Sequence, residues 1–272
     1  MVLDDLVVVG SDRREPGARA HVYAFEKKTG RVRWKLAEPG GVMADIRGDG
    51  RRLYAVTLED RLVCLDPESG KELWSLPSGF VNSDFWFNSA PAAGGGRVYF
   101  GGLNGKLQAL DAESGRVLWT IDLGARITTS VLRVGADLLV GTSRNRLYRI
   151  DSKTGRVSTE LALDETPQGR LVAWENEVLV FLGERAIAAV EGSLRRVIWT
   201  QKSAVPWSSA RPYVWKDTVL AGNDRGELFG FRATDGSAVW SEKFEGTIRG
   251  IGSDAETLYV GTLKGTLDAW RP

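Results

Sequence analysis

The sequence predicts an all-β protein: a β-propeller of about seven four-stranded blades, with a count of six or eight left open. Three observations carry this. One motif recurs along the whole 272-residue chain, short apolar–polar alternations flank every copy, and glycine is abundant at 32 residues. Tight turns draw on glycine's access to positive φ, so such a chain folds into short strands and turns. No stretch holds the sustained 3.6-residue period of a helical solenoid.

The copies read VYAFEKKTGRVRW, LVCLDPESGKELW, LQALDAESGRVLW, LYRIDSKTGRVST, IAAVEGSLRRVIW and LFGFRATDGSAVW, and the closing LDAWRP begins a seventh. Trp34, Trp74, Trp119, Trp199 and Trp240 end five of them, with Thr159 at that place in the fourth. Successive spacings of 40, 45, 40, 40 and 41 residues fit one blade per copy. Within a copy, Leu107–Leu110 alternates as a strand, Asp111 to Gly115 turns the chain, and Val117–Trp119 returns. Upstream lies a further strand, as in RVYFGG, DLLVGT, TVLAGN and TLYVGT. An inner strand precedes most of those, around Asn88–Ala90 and Ile127–Ser130. The first strand, Leu6–Val9, has the phase of a second strand, and the sequence stops after Leu267–Trp270 and two more residues. The reading is one propeller domain over 1–272, with incomplete first (1–36) and last (246–272) blades.

The repeat also assigns single residues. Cys64 stands in a column with Ala24, Ala109, Ala189, Gly230 and Ala269, so it reads as a buried packing residue. Arg149 stands in the same column and breaks it. Asp66, Asp111 and Asp151, with Gly30, Gly70, Gly115, Gly155 and Gly236, read as turn chemistry.

A net charge of +1 gives no reason to expect nucleic acid as a partner. No window reaches the eighteen apolar residues of a membrane-spanning helix. The opening MVLDDLVVVGSD shows no secretory signal, which points to the cytoplasm if this N-terminus is native. One cysteine excludes an intrachain disulfide, and one histidine, His21, reads as a residue at the start of a strand. One His and one Cys build no zinc site without several carboxylates, and no metal site is expected. Asp45 to Asp49 has Arg47 at the third position and no closing glutamate, so it reads as a turn and not as a calcium loop.

The string from LDPESG to the closing tryptophan resembles the tryptophan-docking motif of pyrroloquinoline-quinone-type propellers. The resemblance implies that Trp34, Trp74, Trp119, Trp199 and Trp240 each pack against a neighbouring blade. Thr159 departs from it, as do Glu191 and Arg195 at the turn of the fifth copy. Quinone-dependent dehydrogenases of this superfamily carry an adjacent Cys–Cys bridge that one cysteine cannot make. The chain is therefore expected to be no enzyme and to hold no cofactor. In style the repeats are similar to BamB-like outer-membrane assembly proteins, although no lipobox cysteine precedes the first blade. That resemblance implies a monomeric scaffold of the periplasm or cell envelope that recognises a protein or peptide. The alternatives are a quinone or small-ligand propeller, or the detached sensor domain of a signalling protein.

Two surfaces are expected to meet a partner. The long segment Ser78 to Gly96 carries Trp86 and Asn88 beside Phe85 and Phe87, and Trp207 with Arg211 stands before the sixth inner strand. Trp86 is either an exposed anchor or a plug of the central channel. Trp174 and Trp215 fall on or beside strands and read as core. Arg126, Arg170, Arg211 and Arg249 lie near the starts of four inner strands, either as a ring that favours carboxylates or as separate solvated charges. The basic segment Ser11–Ala20, with Arg13, Arg14 and Arg19, is a second candidate surface or a mobile loop.

Overall fold

Seven antiparallel sheets follow one another along the chain in the computed structural model, one per copy of the repeat. The structure describes residues 1–3, 5–11, 20–37, 41–42, 45–57, 59–77, 90–207 and 211–271. The first sheet holds β1 (Leu6–Gly10), β2 (His21–Glu26) and β3 (Val32–Ala37). The second holds β4 (Arg47–Gly48), β5 (Leu53–Val56), β6 (Arg61–Leu65) and β7 (Glu72–Pro77), and the third β8 (Ala92–Gly94), β9 (Arg97–Gly101), β10 (Lys106–Asp111) and β11 (Val117–Asp122). The fourth comprises β12 (Leu132–Val134), β13 (Asp137–Thr142), β14 (Arg146–Asp151) and β15 (Val157–Ala162). The fifth comprises β16 (Pro167–Trp174), β17 (Glu177–Leu182), β18 (Ala186–Glu191) and β19 (Val197–Lys202). The sixth has β20 (Tyr213–Trp215), β21 (Thr218–Gly222), β22 (Glu227–Arg232) and β23 (Ala238–Lys243), and the last β24 (Ile248–Ser253), β25 (Leu258–Thr262) and β26 (Leu267–Trp270). Five sheets thus have four strands, and the first and last have three. The chain divides into two compact units, Met1–Arg144 with Ile150–Val157, and Asn145–Arg149 with Ser158–Pro272.

In the first unit, period-two alternation sends the two faces of a strand to two different cores. Leu53 and Ala55 of β5 join Leu6, Val8, Val22 and Trp34 of the first sheet. Tyr54 between them joins Val98 and Phe100 of the third sheet. β6 does the same, with Val63 and Leu65 on one side and Leu62 and Cys64 on the other. This explains the unbroken apolar runs in strands that lie between two sheets. Each fully buried leucine contributes roughly 1.5–3 kcal/mol. The second unit repeats the arrangement: Val219 and Ala221 of β21 pack with Leu179, Ile187 and Trp199, while Leu220 packs with Leu258 and Val260.

The strand register explains the column of small residues. Ala24 lies opposite Trp34, Cys64 opposite Trp74, Ala109 opposite Trp119, Ala189 opposite Trp199, and Gly230 opposite Trp240. A small residue leaves room for the indole across the hairpin. At Gly230 the fit is tight enough that an added Cβ would meet the Trp240 ring at 2.6 Å.

The indoles then reach forward to the next copy. In the first unit Trp34 Nε1 donates to the Pro67 carbonyl at 2.8 Å, Trp74 to Ala112 at 3.1 Å, and Trp119 to Ser152 at 3.2 Å. In the second, Trp199 donates to Ala233 at 2.6 Å. Each acceptor is the second residue of a turn whose fifth residue is a glycine (Gly70, Gly115, Gly155 or Gly236) with φ of 68°, 71°, 73° and 72°. The indole covers that glycine, and an added Cβ would come within 2.9 Å or less of the ring in all four cases. Glycine is required there twice over, for its φ and for the close approach.

The fourth copy solves the same problem with other atoms. Where Thr159 stands for the tryptophan, the Arg149 guanidinium donates to the Gly192 carbonyl, the second residue of the fifth copy's turn. Among the described residues no indole donates to that turn, and Arg195 occupies its glycine place; the positive φ, 58°, falls on Leu194. Trp240 meets Trp270 at 4.5 Å between ring centroids.

Turn aspartates complete the hairpins. Asp66, Asp111 and Asp151 each accept from the backbone N–H and the hydroxyl of the residue three positions on, at 2.6–2.8 Å. These bonds hold all three carboxyls below their usual range.

Candidate partner-binding site

The inner strands are interrupted, and the interruptions carry the arginines. Ile127 bridges Thr142, Pro167 pairs with Leu182, Trp207 bridges Asn223 and Ile248 pairs with Thr262. These are equivalent positions of the repeat. After each, the ladder breaks and resumes at Leu132, Val172, Tyr213 or Gly250. In the fifth and seventh sheets the skipped residues, 169–171 and Arg249, bulge from the strand, and a bulge re-aims a side chain.

In the second unit Arg170 and Arg249 fall inside the bulges, and Arg211 falls between the Trp207 bridge and the ladder that begins at Tyr213, in three consecutive sheets. Arg249 is exposed and the other two are half-buried. Arg126 belongs elsewhere. It precedes Ile127, so it stands one place before the pairing residue, and its carbonyl accepts from the Ser143 N–H at 2.9 Å. Arg170, Arg211 and Arg249 thus share the interruption of the inner strand, and Arg126 stands in a different column of the repeat. The inner strands also differ from expectation: β12 begins at Leu132, and within Ile127–Ser130 only the isolated bridge residues Ile127 and Thr129 are assigned, while Asn88 and Ser89 lie outside the described residues.

Trp207 is not the exposed anchor expected. Its ring lies against Phe181 at 6.3 Å and edge-on to Phe229 and Phe231 at 5.8 and 6.2 Å. Its Nε1 is buried, with no hydrogen-bond partner among the described residues. Trp207 therefore packs against the core between the fifth and sixth sheets. Trp86, Asn88 and their neighbours Phe85 and Phe87, as well as Arg13, Arg14 and Arg19, lie outside the described residues. Trp215 is buried and donates to the Asp254 carbonyl at 2.9 Å, and Trp174 ends β16.

Near the bulges of the second unit, a cleft of about 390 Å³ is lined by Glu165, Glu184, Arg185, Ala186, Lys202 and Ser203. Two carboxylates and two cations line it, unlike the apolar pocket a small molecule prefers. Among the described residues no three His, Cys, Asp or Glu side chains converge as a metal would need. His21 opens β2, with its ring 5.5 Å from that of Tyr23. Cys64 is wholly buried, and burial pushes its thiol up to about 12. Asp49 accepts from the Arg51 and Arg52 N–H groups and from the Tyr54 hydroxyl, each at 2.9 Å. These bonds keep its carboxyl low although burial opposes them. Asp254 repeats the device with Glu256, Thr257 and Tyr259, a second-hairpin motif that the spacing of five between Asp and Tyr could have revealed.

The family model described as outer membrane protein assembly factor BamB matches residues 18–193 and 183–270. No curated protein sequence matches the chain. Among solved structures, the crystal structure of BamB from Moraxella catarrhalis is similar with a TM-score of 0.82 at 18% identity, over 99% of this chain and 83% of that one. The crystal structure of the computationally designed Ika8 protein is similar with a TM-score of 0.60 at 13% identity, over 100% and 95% of the two chains. At these identities the likeness shows the fold, and the seven sheets are blades of a β-propeller. With the family model spanning nearly every repeat, the chain belongs to the outer membrane protein assembly factor BamB family.

Proposed function

We propose that the chain is a non-catalytic scaffold of the cell envelope that works as a monomer and recognises an acidic segment of a protein partner. Arg170, Arg211 and Arg249 are the residues that meet it. The observation carrying this reading is their placement where the inner-strand ladder is interrupted in three consecutive sheets. Planar guanidinium groups accept carboxylates in a bidentate fork. Each of the three already has an interaction within the protein, and five N–H donors per side chain leave capacity for an incoming carboxylate.

The quinone reading has less support. Cys64 has no neighbouring cysteine and lies beneath Trp74, so it is unsuited to a bridge over a quinone. The test uses the full chain immobilised against a detergent-solubilised envelope fraction, beside the charge-reversed variant Arg170→Glu/Arg211→Glu/Arg249→Glu. A specific partner is expected to be retained by the native chain, released by salt, and lost by at least tenfold in the variant. Equal retention by both proteins refutes the arginine face. Turnover of an alcohol with pyrroloquinoline quinone and calcium refutes the non-catalytic reading.

A further inference from the structure

The fifth copy departs from the repeat at one corner. A single backbone bond recurs in four copies and aligns them there. The N–H of Leu123 donates to Gly105, that of Leu163 to Asn145, that of Ser203 to Arg185 and that of Phe244 to Gly226, at 2.7–2.9 Å. Three of these donors are apolar, and Leu163 and Phe244 are buried, whereas Ser203 puts a hydroxyl in their column. The acceptors Gly105, Asn145 and Gly226 have φ of 82°, 58° and 82°. Arg185 stands in their column, and its turn carries the positive φ two residues earlier, on Gly183 at 54°. A positive φ is costly for a long side chain, so moving it to Gly183 admits an arginine at the end of the turn.

Two residues beyond the donors, Glu165 shares a column with Ala125, Val205 and Gly246. Its carboxylate lies on Gly183, where Oε2 takes the space a Cβ would need. In the third and sixth copies backbone closes the corresponding corner. A Cβ added at Gly105 would meet the Ala125 carbonyl at 2.9 Å, and one at Gly226 would collide with the Phe244 and Gly246 carbonyls. The fifth copy instead holds the cleft of about 390 Å³, with Glu165, Glu184, Arg185 and Lys202 in its wall beside Ser203. None of these four charged side chains makes a hydrogen bond or ion pair among the described residues. Their capacity for charge-assisted bonds is therefore unspent. Walls of both signs reject an apolar molecule, and an ion of one sign is repelled by one pair. A ligand that carries both signs satisfies all four.

We infer that this cleft binds a small zwitterion of dipeptide size, its ammonium held by Glu165 and Glu184 and its carboxylate by Arg185 and Lys202. The site is separate from Arg170, Arg211 and Arg249, and neither reading depends on the other.

The probe is alanyl-alanine, titrated into the nitrogen-15-labelled full chain and followed by the amide resonances of Gly183, Glu184 and Ser203. A saturable shift of these resonances is expected, weakened by salt. N-acetyl-alanyl-alanine lacks the ammonium and alanyl-alaninamide lacks the carboxylate, and each is expected to bind the native chain about fivefold more weakly. Glu165→Gln is expected to weaken the parent dipeptide by a similar factor and to leave the acetylated one unchanged. Arg185→Gln is expected to weaken the parent and to leave the amide unchanged, with Lys202→Gln in its place should Arg185→Gln alter the circular dichroism. Absence of a saturable shift in the folded protein overturns the inference, as does equal binding of the parent and both blocked peptides. Tighter binding of phosphoethanolamine than of the dipeptide would assign the cleft to a lipid headgroup and overturn it too.

Discussion

The Arg149 guanidinium donates to the Gly192 carbonyl, which is the bond an indole makes at the same place of the repeat elsewhere. A large residue on the third strand with a small one opposite has replaced a small residue with a large one opposite. The exchange extends to the receiving turn, which has lost its glycine at Arg195 because no ring lies on it.

The exchange predicts a strongly non-additive set of variants. Arg149→Ala is expected to cost about 1–3 kcal/mol, since it leaves the Gly192 carbonyl without its charged donor. Adding Thr159→Trp restores little while Arg195 occupies the place an indole would cover. Adding Arg195→Gly as well is expected to recover most of the loss. Urea unfolding of the three proteins measures this, and additive effects would refute the coupling.

Two glycines with one conformation separate strain from packing. Gly30 and Gly155 have φ of 69° and 73°. An added Cβ meets nothing within 4 Å at Gly30, but lies 2.9 Å from the Trp119 ring at Gly155. Gly30→Ala is expected to cost roughly 1–2 kcal/mol for its left-handed backbone. Gly155→Ala is expected to cost a further ~1–3 kcal/mol for displacing the indole. Equal losses in thermal unfolding would contradict the close approach.

The turn aspartates set an acid limit. Hydroxyl and backbone donors hold Asp66, Asp111 and Asp151 below the usual carboxylate value, about 3.9 in an unfolded chain. A depressed folded value means a contribution present above the unfolded value and lost as pH falls through the folded one. The melting temperature of Asp111→Ala is therefore expected to lie below that of the native chain at neutral pH, with the gap closing as the pH is lowered. A gap independent of pH would exclude the charge as its source.

Cys64 is expected to be inert. Its thiol is buried opposite Trp74 and pushed up to about 12 by burial, so thiol reagents at mildly alkaline pH should label it only after denaturant is added. Fast labelling of the native chain would show that the second hairpin opens.

The hairpin half of each blade was legible in the sequence because its turn has a fixed length, so aspartate, glycine and tryptophan recur in register. The three-stranded first and last sheets followed from the same phase. The inner strands were not legible to this degree. Their ladders to the second strand break for four residues after Ile127 and for only one after Ile248, so no fixed offset aligns them. That variation placed Arg126 in one set with Arg170, Arg211 and Arg249. Trp207 was read as exposed because it lies outside the hairpin motif, yet Phe181, Phe229 and Phe231 come from two different sheets to meet it. Arg149 was visible as an exception, and only its acceptor, in the turn after β18 four strands further on, explains it.

The forward direction of the indole bonds bears on biosynthesis. Each donor precedes its acceptor by 33–38 residues, and none reaches back. A ribosome releases the N-terminus first, so every tryptophan is already outside when its acceptor turn emerges. Contacts this local favour rapid folding. Each newly made turn is therefore closed by the copy before it, and the chain can consolidate in order as it is translated.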